Sequence, residues 1–240
     1  MNDVVSLKAR RDRALGAGAA LFYETPLHIV RGEGAYLFDA DGRRYVDMYN
    51  NVPCVGHANP KVAEAMARQQ ATLNTHSRYL HEGVIDFAER LAALHGPQIE
   101  SVVFSCSGTE ANEVALRMAR FATGRRGIVC TNATYHGNSE LVGALTHVGS
   151  RQPETAEIHA FPFPESYRPI EDGLSEQALC DAYLERLADA IARFEASRVG
   201  FAALIVCSIF ANEGLPRVPA GFMARAAEMA RSAGGLVIAD

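Results

Sequence analysis

FSCSGTEANEVALRMAR, Phe104–Arg120, is the stretch from which the fold is most readily read. It follows the apolar pair Val102-Val103, and Val102–Phe104 predicts a short buried strand. Ser105-Cys106-Ser107-Gly108-Thr109 is too small and polar to continue that strand. From Glu110 to about Phe121 the pattern turns helical, with Val114, Ala115 and Met118 expected at the core. A strand, a small polar turn and a helix make a seat for an anion. The first turn of a helix has unpaired N–H groups and the positive end of the helix dipole. Gly108 lets an anion come close to the backbone, and Ser107 and Thr109 add hydroxyl donors. Ser107-x-x-Glu110 is equally a capping box, which needs no ligand. These residues alone leave both readings open. The turn is neither a Gly-Lys-Ser/Thr phosphate loop nor a G-x-G-x-x-G dinucleotide turn.

On the carboxyl side, strands are expected at Ile128–Cys130, Ile158–Phe161, Phe201–Cys207 and Leu236–Ile238. Helices are expected from about Glu176 to Phe194 and from Ala220 to Ala233, the second stopped by Gly234-Gly235. Apolar strands separated by helices predict an α/β fold with a mainly parallel sheet flanked by helices. On the amino side, Asn59 can cap a helix that has Pro60 at its first position, with Val62, Met66 and Leu73 on one face. A second helix is expected from Glu82 to Leu94, turning Ile85, Ala88, Leu91 and Ala92 inward. Earlier, Tyr36 and Phe38 alternate with smaller residues, and Asp41-Gly42 supplies a turn before Tyr45-Val46, which predicts a small antiparallel hairpin. Residues 1–20 look like a mobile polar arm. The expected division is an arm and antiparallel segment over 1–50 and a large domain over 51–240. Asp240 follows a strand that should lead into a helix, so the large domain is expected to be incomplete.

With 240 residues and 48% hydrophobic side chains, the chain can bury a large core. Its net charge of −5 argues against a nucleic-acid binder, which carries a basic excess. No apolar run approaches the ~20 residues that span a bilayer. Cys54, Cys106, Cys130, Cys180 and Cys207 are scattered, with no C-x-x-C pair. That argues against a disulfide framework or a zinc site and fits a reducing, cytoplasmic compartment. The histidines show no metal-ligand spacing, so no metal is expected. Only Lys8 and Lys61 are available to any chemistry that needs a lysine.

Two further features fall at strand ends, where open parallel sheets bind ligands. Thr134-Tyr135-His136-Gly137 follows the Ile128–Cys130 strand, and the Tyr135 ring could stack on a planar heterocycle. Asp240 ends the last strand and could hold a protonated pyridine nitrogen. Each has an ordinary alternative: a tyrosine and a histidine packing a loop, and a cap for a following helix. Taken together, a phosphate seat, a stacking ring and a strand-end acid describe a pocket for pyridoxal 5′-phosphate.

On these motifs the sequence resembles the class III aminotransferases of pyridoxal-phosphate fold type I. The resemblance lies in Phe104–Arg120, TYHGN (Thr134–Asn138) and LVIAD (Leu236–Asp240). GAYLFDADGRRYVDMYNN (Gly34–Asn51) and VGHANP (Val55–Pro60) extend it toward the amino end. It implies that Ser107, Gly108 and Thr109 hold the cofactor phosphate, that Tyr135 stacks on its ring beside His136, and that Asp240, the catalytic candidate, pairs with the ring nitrogen. It implies amino transfer between an amine or amino acid and a keto acid or aldehyde, in a homodimer. Asn50, Asn51 and Tyr79 are candidates for the substrate mouth, with turn formation and packing as the plainer alternatives. NTHSRYLHE (Asn74–Glu82) is similar to the phospho-lyase branch that acts on amino-alcohol phosphates.

Two departures stand out. Ser208-Ile209 occupies the place of the family's Glu-Pro, while Glu213-Gly214 matches its second acid, a substrate-side candidate. The family's cofactor-linked lysine follows the stretch that starts at the equivalent of Asp240, so this chain alone is expected not to transaminate.

Overall fold

The computed structural model describes residues 2–21, 23–49, 53–146 and 155–240. Asn50 and Asn51 lie outside them. The chain divides into two compact units, Met1–Asp86 and Phe87–Asp240, a later division than the one expected after residue 50.

The first unit opens with helix α1, Asn2–Leu15, where a mobile arm was expected. Leu, Lys, Ala and Arg are good helix formers, and Lys8 Nζ meets Asp12 across one turn at 2.6 Å. The Arg11 guanidinium donates to the carbonyls of Ala19 and Ala20 at 2.8 and 3.1 Å and draws the following turn back onto α1. Strands β1 (Ile29–Glu33), β2 (Tyr36–Asp39) and β3 (Arg44–Val46) form an antiparallel meander, one strand more than the expected hairpin. Asp39 closes its second turn, taking the Asp41 and Arg43 N–H groups on one oxygen and the Tyr45 hydroxyl on the other.

Helix α2, Pro60–Thr72, starts as expected, with Asn59 Oδ1 accepting from the Lys61 and Val62 N–H groups at 3.1 and 3.4 Å. Helix α3 runs Glu82–Leu94. Neither α2 nor α3 buries a residue: Val62, Met66 and Leu73, expected on one face, are exposed, and so is Ile85, which was expected to turn inward.

The second unit holds α4 (Gly108–Thr123), β4 (Gly127–Thr131), α5 (Glu140–Gly143), β5 (Ile158–Phe161), α6 (Glu176–Glu195), β6 (Phe201–Val206), α7 (Phe222–Ser232) and β7 (Leu236–Ala239). The four strands pair in the order β5-β4-β6-β7, every pair parallel. Both faces are covered, which is why β4 and β6 are buried along their whole length and β6 is wholly apolar. Val129, Leu204 and Val206 pack beneath α6 and α7 with Leu187, Phe194 and Phe222. Ile128, Cys130, Ala203 and Ile205 point the other way, toward Leu116, Ala119 and Val142 of α4 and α5. No described helix is long and apolar enough to cross a membrane.

Two local expectations are corrected. The buried stripe of α4 is Asn112, Leu116 and Ala119, whereas Met118, expected inside, is 59% exposed. Leu116 and Ala119 lock against the sheet, and that packing turns the helix away from the predicted face. Val102–Phe104 is not a strand. A strand needs a neighbour to take its N–H and C=O groups, and among the described residues none lies alongside. Val103 and Phe104 are largely exposed, and Phe104 stacks on Phe87 at 5.4 Å.

Candidate active site

The order β5-β4-β6-β7 places a switch point between β4 and β6, because the chain leaves β4 to one side for β5 and returns on the other for β6. Crevices for ligands open at the carboxyl ends of strands at such a point. The turn after β4, the loop after β6 and Asp240 after β7 all lie at that edge.

The turn before α4 is built first by capping. Ser107 Oγ accepts from the Glu110 N–H at 3.1 Å. The Glu110 carboxylate reaches back to the Cys106 N–H at 2.7 Å, one residue before the cap itself. The capping box therefore forms, and it leaves room for an anion. Among the described residues nothing accepts from the N–H groups of Gly108 and Thr109, the first two of the helix. A Cβ placed on Gly108 would meet no atom within 4 Å, so this backbone is open to approach.

The turn at 134–138 is fitted onto that helix start. Gly137 has φ 141°, and a Cβ there would fall 2.5 Å from Thr109 Oγ1 and 2.9 Å from Thr109 Cα. Only glycine fits so close. The Asn138 N–H also approaches Thr109 Oγ1 at 3.4 Å. Tyr135 is thereby set beside the anion turn, 40% exposed, its hydroxyl accepting from the Asn138 amide at 2.8 Å. The Asn212 amide, from the loop after β6, reaches the Tyr135 carbonyl at 3.5 Å.

Asp240 is fixed by its backbone and by its side chain. Its N–H donates to the Val206 carbonyl, and its carbonyl accepts from the Ser208 N–H, both at 2.9 Å. Oδ2 lies 2.7 Å from His136 Nδ1. Partial burial pushes the Asp240 carboxyl up, but the hydrogen bond with His136, with the Asn112 amide close by, outweighs burial and holds it below the ordinary value. His136 is itself buried, with Thr134 Oγ1 3.0 Å from Nε2 and the Asn112 amide donating to its carbonyl at 2.9 Å. Glu213 takes the Thr131 hydroxyl on Oε1, while Oε2 is shielded from solvent and has no partner among the described residues.

Ser107, Gly108, Thr109, Tyr135, His136, Glu213 and Asp240 thus all belong to the second unit, around the carboxyl ends of its strands. His136 lies under Asp240 and away from solvent. Tyr79 is an exposed residue of the first unit. Sequence reasoning passed over Asn112, Thr131 and Thr134. Asn112 left a signal, since an amide in register with Leu116 and Ala119 on the inner face of a helix must find a buried partner.

A family model described as aminotransferase class-III matches residues 20–240. The alanine–glyoxylate aminotransferase 2-like protein of Drosophila melanogaster is 35% identical over 237 residues, covering 96% of this chain and 48% of the relative. A phospholyase from Arthrobacter, solved with phosphoethanolamine, superposes with a TM-score of 0.91 at 38% identity, covering 98% of this chain and 55% of that one. The taurine:2-oxoglutarate aminotransferase of Bifidobacterium kashiwanohense, solved with PLP and glutamate, gives a TM-score of 0.82 at 25% identity, with 98% and 55% covered. The chain therefore spans about half the length of the relatives it matches.

Proposed function

The chain belongs to the class III aminotransferase family, and from that membership we propose that it forms the amino-terminal part of a pyridoxal 5′-phosphate enzyme. That enzyme moves an amino group from an amine or amino acid to a keto acid or aldehyde. One observation carries the reading: N–H groups at Gly108 and Thr109 that no described residue claims, the open ring of Tyr135 and the His136-anchored carboxylate of Asp240 sit along one sheet edge. This donor set fits the cofactor. Bound there, the cofactor supplies an electron sink for the carbanion formed at the substrate carbon.

The chain's own residues have separable tasks. The Gly108 and Thr109 amides and the Ser107 and Thr109 hydroxyls bind the phosphate. Tyr135 covers a ring face and excludes water from it. The ionised Asp240 accepts from the ring nitrogen and keeps its proton in place. Glu213, with one oxygen that has no partner among the described residues, offers an acceptor on the substrate side. Lys8 is paired with Asp12 on an exposed helix, and Lys61 lies in the exposed first turn of α2. We assign neither as the cofactor-linked lysine, which must be held against the cofactor. Borohydride reduction of the chain with pyridoxal phosphate, followed by mass spectrometry, is expected to give no stoichiometric adduct on either. Such an adduct would contradict the assignment.

The likeness to the Arthrobacter phospholyase supports a second reading, elimination of phosphate from an amino-alcohol phosphate. Assays on the protein that contains this chain separate the two: keto-acid-dependent loss of amine supports transfer, and phosphate release from phosphoethanolamine supports elimination. We further propose a homodimer, supported by the exposed apolar side chains of α2 and α3. A reducing, cytoplasmic setting is our proposal on five scattered cysteines with no C-x-x-C pair.

A further inference from the structure

His136 has a partner on each ring nitrogen, and the two differ in kind. Asp240 Oδ2 lies 2.7 Å from Nδ1, and Thr134 Oγ1 lies 3.0 Å from Nε2. The His136 side chain and the whole of Thr134 are sealed from solvent. An ionised carboxylate can only accept, so Nδ1 must carry a hydrogen. In the neutral ring Nε2 is then a bare lone pair, and the Thr134 hydroxyl must donate to it. If the ring gains a second proton, the same hydroxyl turns and accepts from Nε2–H. A main-chain carbonyl could serve only the charged ring and an N–H group only the neutral one. A hydroxyl serves both without leaving a buried polar atom unpaired. The Asn112 amide, the other polar group at this point, is directed at the His136 carbonyl.

We propose that Thr134 is a positioning residue for Asp240. Its hydroxyl occupies Nε2, holds His136 in the Nδ1–H form, and keeps the imidazole aligned on Oδ2, so that the carboxylate presents one fixed direction to the open edge. Thr134 touches neither cofactor nor substrate and acts wholly through His136. The idea rests on the proposed function only for what Asp240 binds. The state of the imidazole stands apart from it.

The test is nitrogen NMR of the 15N-histidine-labelled chain without cofactor, with the His136 signals assigned by their loss in His136→Gln. The expected wild-type spectrum shows Nδ1 protonated and Nε2 as an imine nitrogen shifted upfield by a hydrogen bond. Thr134→Val keeps the volume and removes the hydroxyl. It is expected to move Nε2 downfield to the unbonded position. Thr134→Ser is expected to restore the upfield position. A wild-type spectrum with the proton on Nε2, or a Thr134→Val spectrum unchanged from wild type, would overturn the proposal. The wild-type spectrum decides the point even if the valine variant does not fold. Failure of the wild-type chain to bind the cofactor would sink the functional reading and leave this one standing.

Discussion

Asp240 shows how much one residue can take from distant parts of a chain: backbone bonds from β6 and Ser208, and a side-chain bond from His136. Because its carboxyl is held below the ordinary value of 3.8, the ionised form favours the fold. That contribution is complete above the ordinary value and is lost as pH falls through the lowered one. Urea midpoints taken from about pH 7 to about pH 3 should therefore fall more steeply for the wild type than for Asp240→Asn. Parallel curves would contradict the pairing with His136. Gly137→Ala is expected to cost roughly 2 kcal/mol or more, since the new methyl needs both a disfavoured φ and the space of Thr109. Urea denaturation measures it. Ser107, Gly108, Thr109 and Tyr135 were legible because their spacing after a strand has a local meaning. The His136–Asp240 pair joins residues 104 positions apart, and no local pattern reports it. Thr134 was quoted in its motif and given no task, because a hydroxyl gains one only when its partner is buried beside it.

Among the elements, β4, β6 and α6 were plain in the sequence, since strands covered on both faces read as unbroken apolar runs and a long helix repeats its period several times. The short Val102–Phe104 run has the same composition as those strands but no neighbour among the described residues, and pairing, unlike composition, is not local. α1 went unrecognised because a polar helix with little apolar periodicity reads as an arm. In α4 the period was right and the face was wrong. Paired substitutions check the corrected face: Leu116→Ala should cost about 2–5 kcal/mol and Met118→Ala less than about 0.5 kcal/mol in urea. Equal losses would contradict it. Ser107→Ala should cost about 1 kcal/mol through the lost cap on α4, again by urea denaturation.

Taken whole, the molecule is a sheet domain with a preformed edge and a smaller unit whose helix α2, like α3, leaves apolar side chains in solvent. Their spacing sets apolar residues on one face of α2 and was read as inward-facing in α3, and spacing cannot say whether the covering surface lies within this chain. If they meet a second copy in the protein that contains this chain, Met66→Glu should shift its sedimentation from dimer toward monomer, with no change expected if α2 lies outside the interface. The central claim is that the Ser107–Thr109 turn, Tyr135 and Asp240 form one cofactor pocket. Calorimetric titration with pyridoxamine 5′-phosphate, which carries no aldehyde to react with stray amines, tests it most directly. One saturable site per chain, weakened by Asp240→Asn and absent for pyridoxamine without its phosphate, is the predicted result. No saturable binding, or binding indifferent to both the phosphate and Asp240, would contradict it.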